Sequence, residues 1–96
     1  MATFKIAHIK EQGQEMIIVP VNPTFGRKSR TEQQQTMDAL SFAARSAGLA
    51  GTVVTIWSDG HRMGFIAPRP WHPFFQSTGI YSLVMANINR ELIIPD

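Results

Sequence analysis

The strongest constraint on the fold is an Asp59-Gly60 pair set between two apolar segments, residues 52–57 and 62–67. Asp-Gly supplies the two positive-φ residues of a type I′ turn, which joins two antiparallel strands through a two-residue loop. The sequence therefore predicts a β-hairpin near the middle of the chain.

Counting outward from that loop gives the register and the two faces of the hairpin. Trp57 faces Arg62, and Ile56 faces Met63. One face is apolar and predicted to be core: Val54, Ile56, Met63 and Phe65. The other face carries Val53, Ile66 and Trp57, with Arg62 opposite the indole and Gly64 diagonal to it.

Length and composition limit the chain to one small domain, residues 1–96. With 96 residues, 44% of them hydrophobic, it can bury one modest core. It has no cysteine, so disulfides and thiolate metal sites are excluded. The first ten residues alternate charged and apolar side chains, unlike a signal peptide, and no apolar run could span a bilayer. We expect a cytoplasmic protein with no membrane partner.

A second hairpin is predicted around Gln12-Gly13, where Lys10 faces Glu15 and His8 faces Ile17. Both of its faces are largely apolar: Phe4, Ile6, Ile17 and Val19 on one, Ala7, Ile9, Met16 and Ile18 on the other. This hairpin is expected to be covered on both sides, or to keep one side for a partner.

The clearest helix begins at a capping box, with Ser29 as N-cap and Glu32 three residues later. It is predicted to run from Arg30 to Ala47 and to end before Gly48, where a glycine commonly terminates a helix. At about 100° per residue, one face gathers small and apolar side chains for contact with a sheet: Met37, Leu40, Ala43, Ala44 and Ala47. Phe42 projects from the opposite half.

The C-terminal residues allow two interpretations. Ile80, Leu83, Val84, Asn87, Ile88 and Leu92 fit a helical stripe after caps at Ser77 and Thr78, whereas residues 80–85 also fit a strand. The helix is favoured. The predicted fold is α+β: β-β-α-β-β plus a C-terminal helix (or fifth strand), with a mainly antiparallel sheet and the main helix packed on one face.

Gly26-Arg-Lys-Ser-Arg30 places three cationic side chains, Arg27, Lys28 and Arg30, around the N-cap Ser29. Helix starts attract anions through free N–H groups and the helix dipole, so these four residues are a candidate anion site. The alternative is a solvated basic loop. The net charge of +2 and the pI near 9.5 are compatible with nucleic acid but do not indicate it.

Residues 68–75 combine three prolines with three aromatic residues, a composition typical of rigid interaction loops. The favoured interpretation is a packing role, in which Trp71 and Phe74 cover the end of the core. Residues 63–73, Met-Gly-Phe-Ile-Ala-Pro-Arg-Pro-Trp-His-Pro, resemble small conserved bacterial proteins of unknown function, as do residues 51–55. The resemblance implies no particular chemistry.

No catalytic constellation is visible. His8, His61 and His72 lack metal-ligand spacing, the seven carboxylates are scattered, and there is no Gly-x-Ser-x-Gly segment. We therefore expect no enzyme activity, metal or cofactor.

Two classes of binding function remain. The favoured one is contact with a protein partner, or with a second copy of the chain, through exposed apolar surface centred on Trp57, Arg62, Phe42 and Trp71. A sheet of this width with one or two helices would cover one face well, leaving a partly exposed apolar surface: Ile9, Met16, Ile18, Val53, Ile66 and Trp57. The alternative is nucleic-acid or phosphate binding at the basic helix start, with Trp57 available for stacking.

Overall fold

The computed structural model describes residues 2–11, 13–60, 62–76 and 79–94. Over these residues the chain forms five strands, one long helix and two short ones. The strands are β1 (Ala2–Glu11), β2 (Gln14–Pro20), β3 (Thr52–Asp59), β4 (Arg62–Ile66) and β5 (Arg90–Ile94); the helices are α1 (Arg30–Ser46), α2 (His72–Phe75) and α3 (Ile80–Ala86). Two 3₁₀ turns lie at Pro23–Arg27 and Arg69–Trp71.

The described strands form one mixed sheet in the order β4-β3-β2-β1-β5. β2 and β3 run parallel because α1 carries the chain back across the sheet between them. The other three described pairs are antiparallel. The α+β class is confirmed, and the predicted order of elements holds from β1 through β4.

The first hairpin has the predicted register, with Lys10 opposite Glu15 and His8 opposite Ile17. Its apolar residues divide between the two faces of the sheet as expected. Pro20 ends β2, where its missing N–H does not interrupt the ladder.

The β3–β4 hairpin keeps the predicted faces but not the predicted register. Asp59 pairs with Arg62, so the two-residue loop lies one position later than predicted, and Trp57 faces Gly64 instead of Arg62. Gly60 opens the loop at φ 68°. Packing explains the difference, since the large indole is placed opposite a residue that has no side chain.

α1 begins and ends close to the predicted positions. Ser29 is the N-cap: its hydroxyl accepts from the Glu32 N–H and donates to the Glu32 carboxylate, both at 3.2 Å. Gly48 follows the C-cap Ala47 at φ 77°. Leu40, Ala43 and Ala44 are buried against the sheet.

The favoured helix forms over residues 80–86, so the strand alternative for residues 80–85 is wrong; a fifth strand is present, but it comes after the helix. The predicted helical stripe reaches only to Ala86, where α3 ends, and residues 90–94 form β5. The Asn87 side chain donates to the Leu83 carbonyl at 2.7 Å, which satisfies a carbonyl in the last turn of α3. The predicted caps Ser77 and Thr78 lie outside the described residues, and Gly79 occupies the N-cap position.

Helices cover both faces of the sheet, which corrects the expectation of one open apolar face. α1 covers a cluster with the buried strand residues Ile6, Ile17, Val19, Val53 and Leu92. α2 and α3 cover a second cluster with the buried strand residues Ala7, Met16, Ile18, Val54 and Ile56. Of the six residues predicted to remain partly exposed, Met16, Ile18 and Val53 are buried, while Ile9, Trp57 and Ile66 are half-buried.

A candidate protein-binding groove at the sheet edge

Two of the exposed large apolar residues lie near the β5 edge of the sheet, with their side chains on opposite faces of it, because Leu92 and Ile94 are the β5 residues that face α1. Phe42 on α1 is 68% exposed, and Ile93 on β5 is 55% exposed. Phe42 was predicted from the helical pattern to point away from the sheet, because it lies on the half of α1 opposite Leu40 and Ala44. Ile93 was not predicted, since β5 was not recognised as a separate strand.

Residues of α1 and β5, Phe42 and Ile93 among them, line one groove of about 320 Å³, which we call the edge groove. Its lining residues are Phe42, Ala43, Ser46 and Ala47 from α1, and Glu91, Leu92 and Ile93 from β5. Leu92 is buried and belongs to the core under α1. The groove therefore has an apolar floor that is continuous with the core.

Asn89 shows which main-chain groups of β1 point towards β5. The His8 N–H donates to Oδ1 of Asn89 at 2.9 Å, and Nδ2 of Asn89 donates to the His8 carbonyl at 3.0 Å. Peptide groups alternate in direction along a strand, so Ile6 and Phe4 also direct their N–H and C=O groups towards β5. The Asn89 side chain thus makes with His8 the pair of hydrogen bonds that a strand residue would otherwise make through its main chain.

The outer edge of β5 follows from the same alternation. Arg90 pairs with Ile6 and Leu92 with Phe4, so these two β5 residues direct their peptide groups towards β1. Glu91 and Ile93 then direct theirs outward, because β5 ends the sheet on this side. An edge of this kind is a template for pairing with another strand.

Trp57, the centre of the predicted interaction surface, lies elsewhere and is held within the fold. A Cβ added to Gly64 would overlap the indole, and one added to Gly26 would lie 2.6 Å from the indole Nε1. The buried Phe25 ring contacts the indole edge-on, with centroids 5.6 Å apart. The indole therefore packs between the turn before α1 and the β3–β4 hairpin, and it is half-buried there.

The other predicted contact residues are not gathered into one surface. Trp71 is half-buried against the α2/α3 side of the core, together with Phe74, as the favoured interpretation of residues 68–75 predicted. The side chain of Arg62 lies outside the described residues, as does His61. Of the four predicted interaction residues, Phe42 is the one that lines the edge groove.

The basic cluster lies on the surface at the start of α1, where Arg27, Lys28, Ser29 and Arg30 are all exposed. The Ser29 hydroxyl already caps the helix, and the Glu32 carboxylate occupies the space beside it at 3.2 Å. A carboxylate at the start of a helix already interacts with the positive end of the helix dipole, so an external anion would be bound less strongly there. Anion binding at these residues stays a prediction.

Two histidines have structural partners. Nε2 of His8 lies 2.9 Å from the Ala50 carbonyl and 3.7 Å from the Glu15 carboxylate, joining the first hairpin to the loop before β3. Nε2 of His72 lies 3.0 Å from the Ala67 carbonyl. Among the described residues, no three His, Asp or Glu side chains converge as metal ligands.

The chain matches no protein-family model, no curated protein and no solved structure. The resemblance of residues 63–73 to small bacterial proteins stays a prediction. In the described part of the chain, none of the helices has the length and apolar character needed to cross a bilayer. The functional argument therefore depends on the geometry of the edge groove.

Proposed function

We propose that this domain binds an extended protein segment, which adds to the sheet along β5 and lies in the edge groove beneath Phe42. The observation that carries the proposal is the position of the groove. An outward-facing strand edge and an exposed aromatic side chain border the same 320 Å³ space.

Strand addition supplies two separable kinds of contact. The outward N–H and C=O groups of Glu91 and Ile93 can bind any extended backbone, because main-chain hydrogen bonds do not depend on side chains. Phe42 supplies apolar contact to side chains of the added segment on the α1 face of the sheet, and Ile93 supplies it on the opposite face. Aromatic anchors of this kind commonly contribute a large share of the binding energy in protein interfaces.

The edge groove accounts better for protein binding than the other exposed apolar residues do. Leu83 and Met85 on α3 are also exposed, at 50% and 46%. They lie on a helix, whose main-chain groups are used within it, whereas Ile93 lies on a strand with an outward edge. The groove therefore combines apolar and main-chain recognition.

The test is an amide-shift titration of the isotopically labelled domain with a capped hexapeptide of alternating threonine and valine. The amides of Glu91 and Ile93 should shift, because they would donate to the peptide backbone. Phe42→Gln should weaken the binding several-fold while leaving the fold intact, since Phe42 is mostly exposed.

Leu83→Gln is the matched control, because it removes an exposed apolar side chain from another helix. It should leave peptide affinity unchanged. Equal losses from the two substitutions, or no shift at Glu91 and Ile93 in the unsubstituted protein, would contradict strand addition in this groove.

A further inference from the structure

We infer that a pocket at the opposite edge of the sheet from the edge groove binds a small, neutral aromatic molecule that carries an amide group. The pocket has a volume of about 350 Å³ and lies between β4 on one side and α2 and α3 on the other; we call it the β4 pocket. Its volume is within the range of small-molecule sites, roughly 300–1,000 Å³. β4 and β5 are the two outer strands of the described sheet, so this inference does not rest on strand addition at β5.

Aromatic rings from three elements line the β4 pocket. Phe65 of β4 and Tyr81 of α3 are half-buried, so part of each ring is open to a ligand. Phe75 of α2 is buried, and the flexible side chain of Met63 lies on the same face of β4 as Phe65. Aromatic pairs attract each other more strongly than their buried area alone provides. The lining therefore favours a flat aromatic ring over a saturated one.

The rings on the β4 and α2 side are held in place by their neighbours. Phe65 and Phe75 are stacked, with centroids 5.6 Å apart and planes at 29°. The His72 ring contacts Phe65 edge-on at 5.1 Å, and the Phe74 ring contacts Phe75 edge-on at the same distance. Nε2 of His72 lies 3.0 Å from the Ala67 carbonyl, which fixes that ring in turn. A pocket with side chains that are already ordered loses little conformational entropy when a ligand enters.

Uncharged polar side chains complete the lining, and they indicate a neutral ligand. Gln76, Tyr81 and Ser82 supply its side-chain hydrogen-bonding groups. Within the described part of the chain, none of these three side chains has a hydrogen-bond partner, so their donors and acceptors can bind a ligand. None of the described residues that line the pocket is charged. An ionic ligand would therefore lose water on entry without gaining an opposite charge.

The Gln76 side chain favours an amide among the neutral polar groups. Its carbonyl accepts and its NH₂ group donates, so a second amide can pair with it through two reciprocal hydrogen bonds. Gln76 and Ser82 are both exposed, which places these polar groups near the opening of the pocket, whereas Phe75 is 1% exposed. A ligand can then direct its ring towards the aromatic side chains and its amide towards Gln76.

The first experiment titrates the isotopically labelled domain with benzamide, which combines a flat ring and a neutral amide. We expect saturable shifts of the Met63 methyl group and of the Tyr81 and Ser82 amides, with Glu91 and Ile93 unaffected. Cyclohexanecarboxamide keeps the amide but is not flat, and benzoate keeps the ring but is charged. Each should bind several-fold more weakly than benzamide.

Two substitutions test the role of the Gln76 amide. Gln76→Ala should weaken benzamide binding several-fold, because it removes both hydrogen bonds to the ligand amide. Gln35→Ala is the matched control, since it removes an exposed glutamine side chain from α1. It should leave the affinity unchanged. Both variants should keep the fold, which far-ultraviolet circular dichroism checks, because both side chains are exposed.

The outcomes that would overturn the inference are distinct from those that bear on strand addition. Absence of saturable shifts at Met63, Tyr81 and Ser82 would overturn it, as would cyclohexanecarboxamide or benzoate binding as tightly as benzamide. An affinity that Gln76→Ala leaves unchanged, or that Gln35→Ala lowers equally, would overturn it as well. The peptide titration is followed at Glu91 and Ile93, so failure of either proposal leaves the other standing.

Discussion

Gly64→Ala tests whether the contact between Trp57 and Gly64 sets the register of the central hairpin. Gly64 faces Trp57 across the β3–β4 ladder, and a Cβ added there would overlap the indole. The ring has little room to move away, because Gly26 also lies against it and Phe25 contacts it edge-on.

Two opposing effects set the size of the change. In a strand interior, alanine is more favourable than glycine by roughly 0.5–1 kcal/mol. Overpacking a filled site costs about 1–3 kcal/mol. We therefore expect Gly64→Ala to lower the free energy of unfolding by about 0.5–2 kcal/mol, or about 4–8 °C in Tm for each kcal/mol.

The sign of the effect should reverse when the indole is removed. In a Trp57→Leu background no ring crosses Gly64, so Gly64→Ala should stabilise the protein by roughly 0.5–1 kcal/mol. Urea unfolding of the four proteins, followed by far-ultraviolet circular dichroism, gives the coupling free energy directly. The expected coupling is about 1–3 kcal/mol.

A coupling near zero would refute this account of the register. So would stabilisation by Gly64→Ala in the presence of Trp57, because alanine would then fit where the structure has no room for a Cβ. Gly26→Ala provides an independent check, because a Cβ added there would also lie against the indole. It should also destabilise, and less so in the Trp57→Leu background.

Three further predictions concern local structure. Asn89→Ala should cost about 1–2 kcal/mol by removing two hydrogen bonds and should speed amide exchange at His8, whereas Asn87→Ala should leave that amide unaffected. Gly60→Val should cost roughly 1 kcal/mol or more in thermal unfolding, because Gly60 has φ 68° with no atom near a new Cβ, while Gly60→Asn should cost less. Ser29→Ala should cost about 1 kcal/mol and Ser29→Asp almost nothing, and equal losses would show that the cap is unimportant.

Local sequence signals predicted the helix and hairpin whose caps or turn depend on only a few neighbouring residues. Ser29, Glu32 and Gly48 located α1, because capping depends on hydrogen bonds within one turn. The Lys10–Glu15 register was predictable because alternation and a short loop leave few choices. The apolar faces of both hairpins followed from the same alternation.

The sequence alone did not separate α3 from β5. Ile80 to Leu92 fits one helical stripe, and no proline or glycine marks the break after Ala86. The strand forms because the edge of β1 needs a pairing partner. Phe4 pairs with Leu92 and Ile6 with Arg90. Pairing with a distant segment overrides a weak local preference.

The candidate site was decided almost entirely by tertiary structure. Sequence patterns located Phe42 on the outer half of α1, but nothing local linked it to Ile93, 51 residues later. The hairpin pattern alone made Trp57 look exposed, because it shows the neighbours of Trp57 on the two strands only. Gly26, which also lies against the indole, belongs to a separate turn. Backbone hydrogen bonding and side-chain periodicity act over a few residues and can be read from sequence. The meeting of a helix surface with a strand edge depends on how the whole sheet is ordered, which only the folded chain determines.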